Sequence, residues 1–365
     1  MTRRHGGRLV AGTLVLALLV ASGCASIGPH KMVQDRHDYN TSLTESWKRQ
    51  ILLNIVKVRY VEPMFFMDVG DIVAGYTLET GGNIGYTRTL FDVEPSPETV
   101  FSHSSVLNLG ASGRYTDRPT ITYRPMTGAP FRKGIMNSMP LRNVALGLDA
   151  GISARFLVSL GVRSINGLRN MAIAVQGRQA VEEGFARAVD ILAQLQVKNA
   201  LHVRSERDKA GGERLFLWLG CMRPTYEVQD LIAELQRLLD LDPELKEYAL
   251  VEDPEPGARD RIVLQTYSLM QIMAHIANQV DVPEKDIASQ LAMPRLSRCA
   301  EGGVLQAVGV RSSWLKPKPG DAFTAVRFHN HWFWVDNHDL TTKRVFSFLM
   351  LAFTLMESGE ASTPL

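Results

Sequence analysis

Between Ile72 and Leu78 apolar residues recur at every second position, a period that suits a strand and no helix. Ile72, Ala74, Tyr76 and Leu78 alternate with Val73, Gly75, Thr77 and Glu79. Gly81-Gly82-Asn83 reads as a turn, after which Ile84 and Tyr86 resume the alternation. Residues 104–124 repeat the style, with strands expected over Val106 to Leu109 and Thr120 to Tyr123 around Gly110, Gly113 and Pro119. A helix precedes this stretch, from about Thr44 to Tyr60, with Trp47, Ile51, Ile55 and Val58 on one face, Thr44 as cap and Pro63 as stop. Residues 141–160 are helical again.

After Gln176, helix–strand–strand occurs twice. The first set is a helix at 178–196 with strands at 200–205 and 214–219. The second is a helix at 225–239, striped by Val228, Leu231, Leu235 and Leu238, with strands at 246–251 and 261–266. A helix at 268–280, strands at 304–311, 323–328 and 331–335, and a helix over Leu340 to Met356 complete the chain. Strands joined by short loops and interspersed with helices predict an α+β fold. The expected parts are a helix plus β-hairpin-rich domain over 43–175 and, over 176–365, helices on a mainly antiparallel sheet.

The first residues carry an address. Arg3, Arg4 and Arg8 form a charged segment, and Leu9 to Ala21 an apolar run shorter than the roughly 20 residues of a spanning helix. Residues 1–23 therefore read as a signal peptide. Leu19-Val20-Ala21-Ser22-Gly23-Cys24 resembles the cleavage box of bacterial lipoproteins, which implies lipidation of Cys24. Residues 24–42 then form a polar, lipidated tether. Ala25 at the next position implies, by the same resemblance, sorting to the outer membrane on its periplasmic side. Without residues 1–23 the basic count falls from 40 to 37 against 38 acids, which leaves no cationic excess for nucleic acid. Cys221 and Cys299 remain as an even pair in an oxidising compartment, either bonded or buried as thiols.

Four runs look familiar together. They are Glu45-Ser46-Trp47 with Leu52 to Tyr60, Arg118 to Tyr123, Arg163 to Asn170, and Trp332 to Asp336. They resemble a family of proteobacterial outer-membrane lipoproteins with no assigned activity. The resemblance implies a shared fold and an envelope location, and supplies no catalytic residue.

Candidate sites are sparse. His329, His331, His338, Asp336 and Asp339 lie close in sequence. On a strand His329 and His331 would share a face, as in a two-histidine metal site. The alternative puts Trp332 and Trp334 on the core and the histidines in solvent, and no metal ligand is assigned. Arg163, Arg169 and Arg178 around Asn166 and Asn170 either grip an anionic polymer or form a solvated rim. No GxSxG, HExxH, phosphate-binding loop or strand-linked GxGxxG occurs, so no catalytic or cofactor-binding residue is assigned and no cofactor is expected. The last helix, with Val345, Phe346, Phe348, Leu349, Leu351 and Phe353, is expected to be buried core.

Three functions fit. The first is a non-catalytic docking or assembly component of the envelope, anchored in the outer membrane and bound to an unidentified envelope protein. The second is an envelope hydrolase or transferase with an unfamiliar site. The third is an oligomer inserting β-hairpins into the outer membrane, against which the 72–79 strand counts as short of the roughly 9–11 residues a spanning strand uses.

Overall fold

The computed structural model describes residues 27–73, 75–89, 104–170, 172–173, 179–207, 213–295 and 308–357. The fold is α+β with antiparallel and mixed sheets. It clusters into two compact units, one of residues 65–126 and one of the chain on either side.

In the larger unit, α1 (Ile27–Arg59) is one helix of 33 residues, about 50 Å long. The expected tether from 27 onward is thus the first half of the helix expected at 44–60. That half has no apolar stripe, and Met32 and Val33 are exposed, whereas Ile51, Leu52, Ile55 and Val56 are fully buried. Glu45 pairs with Lys48 and Arg49 at helical spacing. Tertiary burial and these helix-surface pairs both fall in the second half of α1.

Helices α2 (Leu141–Asp149) and α3 (Ala154–Gly161) follow. They pack so closely that a Cβ at Gly147 would lie 2.8 Å from Leu157 Cδ2. Strands β5 (Val162–Ile165) and β6 (Leu168–Arg169) come next, then the two-residue pair β7 (Ala172–Ile173) and β8 (Gln179–Ala180). Then come α4 (Glu183–Val197), β9 (Leu201–Arg207), β10 (Glu213–Leu219), α5 (Tyr226–Leu238), β11 (Glu247–Val251) and β12 (Arg261–Thr266). Six strands form one sheet in the order β6-β5-β12-β11-β10-β9. A domain boundary at 175 would cut through this sheet, because β5 pairs with β12.

The two helix–strand–strand sets are not equivalent. Strands β9 and β10 are an antiparallel hairpin, whereas β11 and β12 run parallel. What the sets share is the helix end. Asn199 and Asp240 each take a left-handed conformation one residue past the helix cap, and Ala200 N and Leu241 N donate back to Leu195 O and Gln236 O. Strands β11 and β12 bury alternate residues, Tyr248 and Leu250 on one and Ile262 and Leu264 on the other.

The second part of this unit joins α6 (Leu269–Ala277), α7 (Glu284–Ala288), a sheet in the order β13-β15-β14, and α8 (Leu340–Glu357). The strands are β13 (Arg311–Ser313), β14 (Ala322–Phe328) and β15 (His331–Asp336). Phe333 and Val335 are fully buried, while Trp332 and Trp334 are half-buried on the opposite face. The expected inward face of β15 is therefore reversed. Both alternating rows are apolar, so the period alone left the phase open. Helix α8 buries Val345, Phe346, Phe348, Leu349 and Phe353 as expected, but Leu351 is 45% exposed. Its neighbours include Trp47 on α1, 5.5 Å from Phe353, and Phe156 on α3, 6.1 Å from Phe348.

The smaller unit is a single long hairpin. Strands β1 (Phe66–Val73) and β2 (Tyr76–Thr89) lead out, and β3 (Ser104–Asp117) and β4 (Thr120–Met126) return. β1 pairs with β4, and β2 with β3, both antiparallel. Gly81-Gly82-Asn83 is not a turn. Those residues lie mid-ladder opposite Ser112, Ala111 and Gly110. Glycine accepts extended backbone as readily as a turn, so its presence did not fix a reversal. Residues 90–103, between the strand ends Thr89 and Ser104, lie outside the described residues.

Candidate functional site

The histidine cluster does not assemble. His329 sits in the β14–β15 turn with a positive φ of 46°, not on a strand beside His331. Its ring stacks on Tyr60, and its Nε2 lies 3.4 Å from Glu62 Oε1. Asp336 receives the His338 backbone N–H at 2.8 Å and pairs with Arg311 at 3.1 Å, which together hold its carboxyl below the usual range. Asp339 caps α8, accepting from Thr342 N at 3.0 Å. Among the described residues no group of three or more His, Cys, Asp or Glu is placed to hold a metal ion.

The segment Arg163 to Asn170 is a hairpin turned at Asn166-Gly167, whose φ values are 44° and 86°. Both asparagines are structural. Asn166 Nδ2 donates to Leu239 O at 2.7 Å, and its Oδ1 accepts from Val263 N at 2.7 Å. Asn170 is buried and donates to Ser159 O and Val162 O at 2.8 and 2.7 Å. Arg163 lies across from Asn170, and Arg169 across from Ser164, so the two exposed arginines fall in different rows of the hairpin. Arg178 lies outside the described residues, as do Cys24 and Cys299; Cys221 is half-buried.

The most strongly perturbed titratable groups are packed parts of the fold. Burial pushes the Tyr60 phenol well above its usual range, with its hydroxyl donating to Asp286 Oδ2 at 2.6 Å. Burial lowers His275 to about 4, and its ring stands edge-on to Tyr267, 5.2 Å away. Burial also pushes Tyr267 up to about 12. A small cavity of about 30 Å³ between the six-stranded sheet and its helices has a wholly apolar lining that includes Leu192, Leu217 and Leu264. It offers nothing for acid–base chemistry.

The β2–β3 ladder is different. Each strand has 14 residues, and the register is unbroken from Tyr76 opposite Asp117 to Thr89 opposite Ser104. One row of the ladder holds Tyr76, Leu78, Thr80, Gly82, Ile84 and Tyr86, facing Asp117, Tyr115, Gly113, Ala111, Leu109 and Leu107. The other row holds Thr77, Glu79, Gly81, Asn83, Gly85 and Thr87, facing Thr116, Arg114, Ser112, Gly110, Asn108 and Val106. In this second row Thr77, Glu79, Asn83, Asn108, Ser112 and Arg114 are exposed.

The first row is thus apolar or small in its middle and tyrosine-bearing toward both ends. Tyr76 and Tyr115 mark one end and Tyr86 the other, and Asp117 and Arg88 lie at or beyond these ends. The ten residue steps from Tyr76 to Tyr86 cover about 34 Å along the strand. At the roughly 40° tilt of barrel strands that is about 26 Å of height, against about 25 Å for the apolar band of a membrane barrel. Among the described residues the ladder is a two-stranded sheet with no third strand. No described helix is long and apolar enough to cross a membrane. No family model, curated protein or solved structure matches this chain.

Proposed function

We propose that the chain is a lipid-anchored outer-membrane protein that self-assembles, its β2–β3 hairpins joining edge to edge as a barrel across the bilayer. The single observation carrying this reading is the ladder's division into an apolar row, banded by tyrosines, and a polar row with Glu79 opposite Arg114. A lone two-stranded ribbon is marginal in water. In a bilayer its free edges would leave backbone donors and acceptors unsatisfied, and only closure removes edges. Each copy brings two strands, so a ring of copies closes with an even strand number. The objection from the length of a 72–79 strand falls away, because β2 alone exceeds the spanning requirement. Cys24, carrying lipid, would hold each copy at the membrane where assembly occurs. The reading needs no cofactor and no catalytic residue.

The alternation supplies the test. Ala111 and Ser112 are neighbours near mid-ladder, in opposite rows. Ala111→Arg puts a charge toward lipid at the bilayer centre and is expected to cost about 2–4 kcal/mol per copy. It abolishes conductance when purified oligomer is added to planar bilayers. Ser112→Arg puts the same charge in the lumen, leaves assembly intact and shifts selectivity toward anions. Equal tolerance of both substitutions, or a wild-type protein that never conducts, leaves the hairpin as a docking arm for an envelope protein.

A further inference from the structure

The face of the β13-β15-β14 sheet opposite the core carries Trp332 and Trp334, both half-buried. Ser313 and Arg327 flank Trp332, and Arg311 and Ala325 flank Trp334. From β13 the chain runs into Trp314-Leu315-Lys316-Pro317-Lys318, where Trp314 is 74% exposed and Leu315 59% exposed. The segment is held in place. Leu315 N donates to Ser313 Oγ at 3.1 Å, the Lys316 ammonium lies 5.3 Å from the centre of the Trp332 ring, and Asn337 Nδ2 donates to Gly320 O at 3.0 Å. An ordered loop therefore keeps a large aromatic and a leucine in water, beside the exposed cations Lys316, Lys318 and Arg327. The nearby acids are Asp336, which is engaged by Arg311, and Asp321.

We propose that the Trp314-Leu315 loop is a second membrane contact, which enters the headgroup layer of an anionic bilayer. Tryptophan concentrates at membrane–water interfaces because its ring is apolar and its N–H polar. Leucine beside it reaches acyl chain, and lysines gain from anionic headgroups. A protein partner fits less well, because lysine is depleted at protein interfaces while here two follow the apolar pair. This site stands apart from the hairpin reading, since residues 65–126 contain none of the five tryptophans.

The absence of tryptophan from the hairpin makes the test specific. The lipidated protein is reconstituted in phosphatidylglycerol-containing vesicles whose acyl chains are brominated near the headgroup. Tryptophan emission should be quenched and blue-shifted relative to detergent-free protein lacking vesicles, and Trp314→Phe should remove both effects while leaving circular dichroism unchanged. Lys316→Gln combined with Lys318→Gln should weaken the quenching. Quenching that persists in Trp314→Phe, or that is equal in phosphatidylcholine vesicles, overturns the proposal. The Ala111→Arg protein, in which the hairpin fails to insert, should keep the quenching. Loss of quenching there would show that the loop meets lipid only through the hairpin, which also overturns an independent site.

Discussion

At the scale of single residues, the groups that look most functional in the sequence are bound to backbone. Asn166 and Asn170 spend their amides on carbonyls and N–H groups of neighbouring segments, and Asp339 spends its carboxylate on a helix start. Asn-Gly at 166–167 is the strongest hairpin signal a sequence offers, yet the arginines around it suggested a site. The partners of these side chains lie as far as Val263, and no local pattern reports them. His275 gives a measurable consequence. Its folded value near 4 lies below the ordinary 6.5 because burial disfavours the imidazolium. The unfolded chain thus binds the extra proton first as pH falls. Stability is unaffected above about 6.5, falls between about 6.5 and 4, and levels off below, a loss on the order of 3 kcal/mol. His275→Phe keeps an aromatic ring beside Tyr267 and should flatten this part of the urea-midpoint profile between pH 7 and 4.5. An unchanged acid slope in the variant would assign it to carboxylates instead.

At the scale of elements, helices with a clean apolar stripe were legible, and elements whose two faces resemble each other were not. α5 follows from its apolar stripe and α8 from a run that is apolar nearly all round, and burial selects both. The first half of α1 has no stripe and reads as a tether, although it is helical. Strand β15 has apolar residues in both rows, so the alternation could not say that Phe333 and Val335, rather than the tryptophans, face inward. β2 and β3 hid their length behind glycines that a turn and a ladder accept equally well; their register is set by pairing between residues 15 to 41 positions apart. Helix α8 tests the burial argument. Phe346 is fully buried and meets Phe323 edge-on at 6.2 Å, so Phe346→Ala should cost about 3–5 kcal/mol. Leu351→Ala, on the half-open side of the same helix, should cost under about 1 kcal/mol. Chemical denaturation compares the two, and equal costs would mean that something covers Leu351 in solution.

At the scale of the whole molecule, the proposed anchor and the proposed hairpin are linked by mass action. A ribbon that is two-stranded among the described residues satisfies its edge hydrogen bonds in the bilayer only when copies meet, so closing a ring depends on local concentration. A lipid on Cys24 confines copies to one surface, and tethering of this kind raises effective concentration without adding any contact, by factors on the order of 10²–10⁴. Two variants that both abolish the assembled form at low concentration should therefore separate when concentration rises. Cys24→Ala protein should remain unassembled in dilute solution with vesicles, then recover oligomers and conductance as its concentration is raised through that range, because every strand contact is intact. Ala111→Arg protein should not recover at any concentration, because its defect is the energy of a charge facing lipid. Chemical cross-linking across a dilution series, read beside conductance, distinguishes the two curves. If Cys24→Ala fails to recover, the lipid supplies part of the assembly itself and is more than a tether. If it assembles as readily as wild type, the anchor contributes nothing to closure, and the hairpin alone brings the copies to the membrane.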